Sequence, residues 1–313
     1  MPALRQRSCA WQSRVGRFPA LEMIAAGARV SFQNENLPHR MLMALDHSPL
    51  GKPTEYPERY DPSLLFPIAR AGQREAFGLR GPLPFGGVDL WTAYEVTWLD
   101  AQGKPQIAIG EISVPADSPS IVESKSLKLY LGSFAQEPSS IDEVARRIEA
   151  DLARACGAKV GVALFPAVNA ARPGFAALPG ESLDEIELAT GMYEPEPNSL
   201  TAGGGVIDET LRSALFRSRC PVTGQPDYGD VMMRYRGLRI DRAGLLRYLI
   251  SFRRHAAFHE SCVERIFVDI LSRCAPSSLT VYARFMRRGG IDINPFRSNF
   301  EPGPPRGVRT PRQ

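Results

Sequence analysis

A thirty-residue segment of this chain has a second, similar copy. At an offset of 118, residues 127–156 align with 245–274 without a gap, and nine pairs are identical. They are Leu127/Leu245, Tyr130/Tyr248, Leu131/Leu249, Ser133/Ser251, Phe134/Phe252, Arg147/Arg265, Ile148/Ile266, Asp151/Asp269 and Cys156/Cys274. Average residue usage would give about two. A duplication of this kind sets the architecture before any motif does. Each copy must be one supersecondary unit, and the two units must pack against each other.

Hydrophobic spacing gives each unit its elements. Ile141, Val144, Ala145, Ile148 and Leu152 recur with a helical period, as do Val263, Ile266, Phe267, Ile270 and Leu271. Leu127–Phe134 and Leu245–Phe252 read as a preceding helix in each copy. Val160–Phe165 and Leu279–Phe285 read as following strands. Upstream, Trp91–Leu99 and Gln106–Val114 form a strand pair around a Gly103 turn, and Asp230–Arg236 with Leu238–Ile240 echo it around Gly237. Each module therefore reads strand–strand–helix–helix–strand. This implies an α+β fold of antiparallel sheets with helices packed on one face. The stretch 166–206, with its prolines and Gly203–Gly205, reads as a connector holding one strand near Ile186–Met192.

Composition limits what the chain does. It has 38 Lys and Arg against 34 Asp and Glu, a net charge of only +4 spread along the sequence, which does not argue for nucleic-acid binding. No run approaches 18 apolar residues, so no membrane-spanning helix is expected. Five sparsely spaced cysteines do not make a disulfide framework and point to a reducing compartment. The first 46 residues carry six arginines and few acids, and read as a poorly ordered extension rather than a secretory signal. The expected organisation is an extension over 1–46, an N-terminal module over 47–182 and a C-terminal catalytic module over 183–313.

The two copies differ where chemistry could sit, which suggests one site assembled where the modules meet. Cys220-Pro-Val-Thr-Gly-Gln-Pro-Asp227 is a loop with a thiol at one end and a carboxylate at the other. A thiolate is a nucleophile, and a nearby carboxyl group can move a proton. A buried structural thiol beside a turn aspartate would look the same. His259-Glu260 stands at an expected helix start, where Glu260 could equally serve the helix dipole. His255, His259, Cys262 and Cys220 could alternatively hold zinc, although no paired Cys-x-x-Cys supports it. Glu123-Ser-Lys-Ser126 offers a carboxylate and hydroxyls to a purine-like edge, with Lys125 and Lys128 suited to phosphate, or simply caps an amphipathic helix. Arg287-Arg-Gly-Gly290 can bring guanidinium and backbone to an anion, or be a basic turn. There is no Walker A sequence and no G-x-G-x-x-G after a strand.

Together, Glu123–Tyr130, Cys220–Asp227, Phe258–Phe267 and Arg287–Pro295, in this order and on a duplicated chain, resemble the long, bimodular 7-cyano-7-deazaguanine reductases of queuosine biosynthesis. The resemblance covers about residues 47–313. It implies tandem tunnelling-fold modules and an NADPH-dependent reduction of a nitrile to an aminomethyl group, with two NADPH consumed. By resemblance, Cys220 forms a thioimide and Asp227 donates the proton. Val122, Glu123, Ser124, His259 and Glu260 hold the deazaguanine, and Ser124, Lys125, Arg288 and Gly289 contact NADPH. No metal is implied. Tyr228 and Phe296 stand where tryptophan is familiar. A cytoplasmic homodimer, with no direct nucleic-acid or membrane partner, is expected. Two other readings stay open: a zinc-dependent pterin-type cyclohydrolase of the same fold, and a non-catalytic purine-binding module.

Overall fold

A computed structural model describes residues 56–57, 59–169, 174–305 and 307–313. The extension expected over 1–46 lies outside them. In chain order the elements are β1 (Pro67–Ala69), α1 (Arg70–Glu75), β2 (Gly86–Leu99), β3 (Pro105–Pro115), β4 (Ser120–Val122), α2 (Ser124–Gly132), α3 (Ile141–Cys156), β5 (Gly161–Pro166), β6 (Glu181–Ser182), β7 (Ala202–Arg219), β8 (Pro226–Ile240), α4 (Arg242–Ser251), α5 (His259–Cys274), β9 (Ser278–Phe285) and β10 (Ile291–Ser298).

Eight strands form one sheet in the order β5-β3-β2-β10-β9-β8-β7-β6. Every neighbouring pair is antiparallel except β6 with β7. β1 and β4 make a separate two-stranded ribbon. Each half supplies a hairpin, two helices and a strand, as the periodicity requires. One element exceeds that expectation: β10 returns to pair with β2 from Ile291↔Ala93 to Ser298↔Gly86, and so fuses the halves into a single sheet. The join is tight. Gly87 has φ +152, and a Cβ there would lie 2.0 Å from the Phe296 carbonyl oxygen, so no larger residue fits.

The repeated residues form the same polar knot twice. Tyr130 donates its hydroxyl to Asp151 at 2.7 Å, and Tyr248 donates to Asp269 at 2.6 Å. The Ser133 and Ser251 hydroxyls donate to the carbonyls of Tyr130 and Tyr248, both at 2.6 Å. Phe134 and Phe252 meet those tyrosines edge-on at 5.4 and 5.3 Å. Each knot ties the first helix of its module to the second, inside that half's apolar cluster. The helices also end alike: Gly157 and Ala275, which are equivalent positions, both close their helix in the left-handed conformation.

Two strand expectations are corrected. Gly237 is not a turn: β8 runs through it, and the second hairpin closes instead at Cys220–Gln225, between β7 and β8. The cause is length, since a long strand masks an interior glycine. The connector holds its strand at Glu181–Ser182 and not at Ile186–Met192, and Gly203–Gly205 belong to β7. The apolar residues Ile186 and Leu188 instead pack side-on against the second core.

A buried ionic network crosses the junction. Arg297 of β10, fully buried, pairs with Asp89 of β2 at 2.7 Å and with Glu264 of α5 at 2.8 Å. Arg70 meets Asp89 at 2.5 Å, and Arg74 meets Glu264 at 2.8 Å. Both arginines stand on α1. Charges removed from water in this way must be mutually paired. No helix among the described residues is long and apolar enough to cross a membrane.

Candidate active site

The site begins at the β7–β8 hairpin. The Cys220 N–H donates to the Gln225 carbonyl at 2.9 Å and the Gly224 N–H returns to the Cys220 carbonyl at 3.0 Å, which closes the loop. The end of β7 is stitched to the segment before α5: the Arg219 N–H donates to the His255 carbonyl, and the Ala257 N–H donates back to Arg219. The thiol of Cys220, 8% exposed, therefore lies beside the start of α5. Seven positions on, Asp227 is buried at the head of β8.

Asp227 faces two cations. Arg288, in the β9–β10 turn, donates to Asp227 Oδ1 and to Gln225 Oε1. Nε2 of His259 lies 3.5 Å from Asp227 Oδ2, near enough for an ion pair but not aligned as a hydrogen bond. The imidazole lies flat on Phe285, with ring centroids 3.9 Å apart. Burial works to raise the Asp227 pKa, and the His259 and Arg288 charges overcome it, holding the carboxyl below its ordinary value. Asp227 is thus a carboxylate in the free protein. It must accept a proton before it can donate one.

Glu260 is the opposite case. It is 2% exposed, and its Oε1 has no hydrogen-bond partner. Burial, reinforced by the charge of Asp89, pushes its pKa up to about 7. Glu260 stands in the first turn of α5, where its charge meets the helix dipole, but no side-chain hydrogen bond caps that helix. An orphaned carboxyl oxygen in the interior costs free energy unless something with an N–H arrives to meet it.

The first half supplies Glu123, Lys125 and Lys128. Glu123 is buried and its carboxylate accepts from the Lys125 N–H at 2.6 Å and the Ser126 N–H at 2.8 Å, so it does cap α2. The Ser124 hydroxyl donates to the same carboxylate at 3.3 Å. Lys128, one turn on, reaches the second half: a Cβ on Gly289 of the β9–β10 turn would lie 3.2 Å from its side chain. Its pKa is lowered, first by burial and then by Arg288. Phe258, at the head of α5, packs with Ile68, Ile121 and Phe66, and the Phe66 carbonyl accepts the Glu123 N–H at 2.9 Å. That contact sets the His259-Glu260 corner beside Glu123.

Not every expected residue points inward. The Val122 side chain lies in the first core, against Trp91 and Leu127, so only its backbone is left to face a ligand. Tyr228 is partly exposed and Phe296 is fully buried on the other face of the sheet, with Tyr282. The zinc arrangement is not formed: among the described residues, no group of three or more His, Cys, Asp and Glu is gathered for a metal. His255 is turned edge-on to Phe252, and burial drops its pKa to about 3. Gln225, Phe285 and Ser218 were not marked by the sequence reading. The one available signal was strand alternation, which puts Ser218 on the same side as Cys220.

Comparison with known proteins gives the family. Residues 56–164 match the family described as nitrile reductase, 7-cyano-7-deazaguanine-reductase N-term, and residues 226–303 match the family described as QueF-like protein. The NADPH-dependent 7-cyano-7-deazaguanine reductase of Burkholderia cenocepacia (strain HI2424) is 56% identical over 273 residues, covering 86% of this chain and 99% of that protein. The enzyme of the same name from Burkholderia vietnamiensis (strain G4 / LMG 22486) is 55% identical over 271 residues, with the same coverage. Among solved structures, the archaeosine synthase QueF-Like in the apo form aligns with a TM-score of 0.27 at 14% identity, over 31% of this chain and 94% of that one, too slight a likeness to bear on the fold. With both family matches in order and more than half of the aligned residues identical across nearly the whole length of these relatives, the chain belongs to the 7-cyano-7-deazaguanine reductase family.

Proposed function

We propose that the protein reduces the nitrile of 7-cyano-7-deazaguanine to an aminomethyl group with NADPH, in queuosine biosynthesis. The observation that carries this reading is a buried carboxylate, Asp227, held by Arg288 and facing His259, at the end of the hairpin whose loop begins at the buried thiol of Cys220.

A nitrile carbon is only weakly electrophilic, so a covalent route divides a hard step into easier ones. The Cys220 sulfur bonds to the nitrile carbon while one C–N π bond breaks. The thiol proton passes to Asp227 and from there to the nitrogen, which balances as the addition of S–H across the triple bond and leaves a thioimide. When the C–S bond later breaks, Cys220 recovers its proton by the same path. NADPH, when bound, supplies the hydrides, two equivalents for each nitrile.

The cation set fits a phosphate-bearing cofactor. Arg287 and Arg288 lead into a turn in which Gly289 and Gly290 both have positive φ, and a Cβ on Gly289 would press to 3.2 Å from the Lys128 side chain. Ser124, Lys125, Arg288 and Gly289 would hold the dinucleotide, and Glu123, His259, Glu260 and the backbone at Val122 would hold the base. Glu260 Oε1 gains the N–H donor that the free protein lacks. A substrate without that donor would leave the carboxylate unmatched, which is why ordinary nitriles would be refused.

The halves are read as tandem tunnelling-fold modules over 47–182 and 183–313, in a cytoplasmic homodimer. What supports the compartment is the set of free thiols, four of them among the described residues. The test of function is Cys220→Ala. The wild-type protein with the cyano base should show a covalent adduct by intact mass and oxidise two NADPH per amine. The variant should show neither, and an undiminished adduct in it would overturn the assignment of the nucleophile.

A further inference from the structure

Ser218 is fully buried, and no oxygen or nitrogen pairs with its hydroxyl; the one polar atom set against it is the weakly bonding thiol of Cys262. Such a group is costly to keep, since alanine would fill the same place without an unpaired dipole. Its position is telling. In the β7–β8 ladder Ser218 is the direct partner of Asp227, and it stands two residues before Cys220, so the three side chains project to one face. Directly opposed residues hold their Cβ atoms about 4.5–5.5 Å apart, within reach of a serine–carboxylate hydrogen bond after a side-chain turn. The carboxylate is turned away, towards Arg288 and His259. On its other side Ser218 approaches the thiol of Cys262 on α5, which burial pushes up to about 12 and so keeps uncharged.

We propose that Ser218 is a positioning residue for the proposed reaction: its hydroxyl is the second resting place of the Asp227 carboxyl, taken up when Arg288 turns to a bound anion. This inference rests on the reading of Asp227 as the group that moves the proton. Against Ser218, away from the guanidinium, the carboxyl is the more basic and lies beside the thiol whose proton it takes. Back with Arg288, the cation makes it the stronger acid, and the proton it carries is released to the substrate nitrogen. The other groups that face it are His259 and Cys262 from α5, Lys128 from α2 and Cys220 at the hairpin. Among them the only neutral donors are thiols, whose S–H bonds are weak beside that of a hydroxyl.

The experiment compares Ser218→Ala, Asp227→Asn and the double variant, read by adduct mass, by NADPH oxidation and by the pH profile of kcat. Ser218→Ala should melt at or above the wild-type temperature. It should lose about tenfold in kcat, a fraction of what a general acid–base contributes, with KM for NADPH unchanged and the pH limb of Asp227 displaced. Ser218→Cys, which keeps a weak donor, should recover part of the rate. In the Asp227→Asn background the serine change should cost nothing further. Wild-type kcat and pH profile in Ser218→Ala, the same loss in both backgrounds, or no recovery with cysteine would each overturn the role of Ser218. Full turnover by Asp227→Asn would instead overturn the reading of Asp227 itself.

Discussion

Nε2 of His259 lies 3.5 Å from the Asp227 carboxylate, with the imidazole stacked on Phe285. The stacking holds the ring flat against Phe285, with Nε2 on the side of the acid. Two residues 32 positions apart in sequence are thereby brought face to face, because α5 packs across the strands that carry Asp227 and Phe285.

Replacing His259 with asparagine should raise the pKa of Asp227, because one of its two cationic neighbours is lost. A depressed carboxyl adds stability above its unfolded pKa and gives it up as pH falls through the folded value. The variant should therefore begin to lose stability at a higher pH during acid titration, with kcat reduced by on the order of a hundredfold. Thermal melts between pH 3 and 6, with turnover at neutral pH, measure both.

Glu260→Gln should separate binding from stability. The wild-type carboxyl titrates near 7, raised by burial, so its contribution is fully present below its unfolded value and is lost as pH rises through about 7. The penalty above that point is about 3 kcal/mol. The substrate-free glutamine variant should thus be the more stable protein at pH 8, with less advantage at pH 5. It should bind the cyano base on the order of a hundredfold more weakly, since an amide nitrogen cannot accept the incoming N–H. Melting curves at the two pH values and calorimetric titration check the pair of effects.

The two polar knots should respond unequally. Asp151 accepts from Tyr60 at 2.5 Å as well as from Tyr130, while Asp269 has Tyr248 and only a long 3.5 Å contact to Arg265. Tyr248→Phe should cost about 1–3 kcal/mol and Tyr130→Phe less, because Asp151 keeps a partner. Urea denaturation of both variants gives the comparison.

Ala275 closes α5 at φ +46, where its counterpart Gly157 closes α3 at φ +68. A Cβ in the left-handed region costs roughly 1–2 kcal/mol. Ala275→Gly should recover about 1 kcal/mol, less the extra entropy of a glycine in the unfolded chain. The shift of the urea midpoint at constant slope measures it, with activity unchanged.

The duplication, its helix pairs and the residues of each polar knot could be read from the chain, because helical period and residue identity are local marks. The Cys220–Asp227 loop could be read for the same reason, its prolines and glycine lying within eight positions. The return of β10 to β2 carries no such mark: strand pairing across 198 positions depends on which edges are left open once both halves have folded. Gly237 resembled a turn because a glycine shows its backbone freedom, and not the ladder that overrides it.

Sequence alone thus marked the repeated helices and the loop that carries Cys220 and Asp227. Tertiary structure decided their states. Arg297, Asp89 and Glu264 look like ordinary surface charges until burial forces them to pair, and Glu260 is an ordinary carboxylate until the interior strips its water and leaves one oxygen without a donor. Charge in a sequence is only a residue type; its energy is set by the dielectric and the neighbours that folding brings to it.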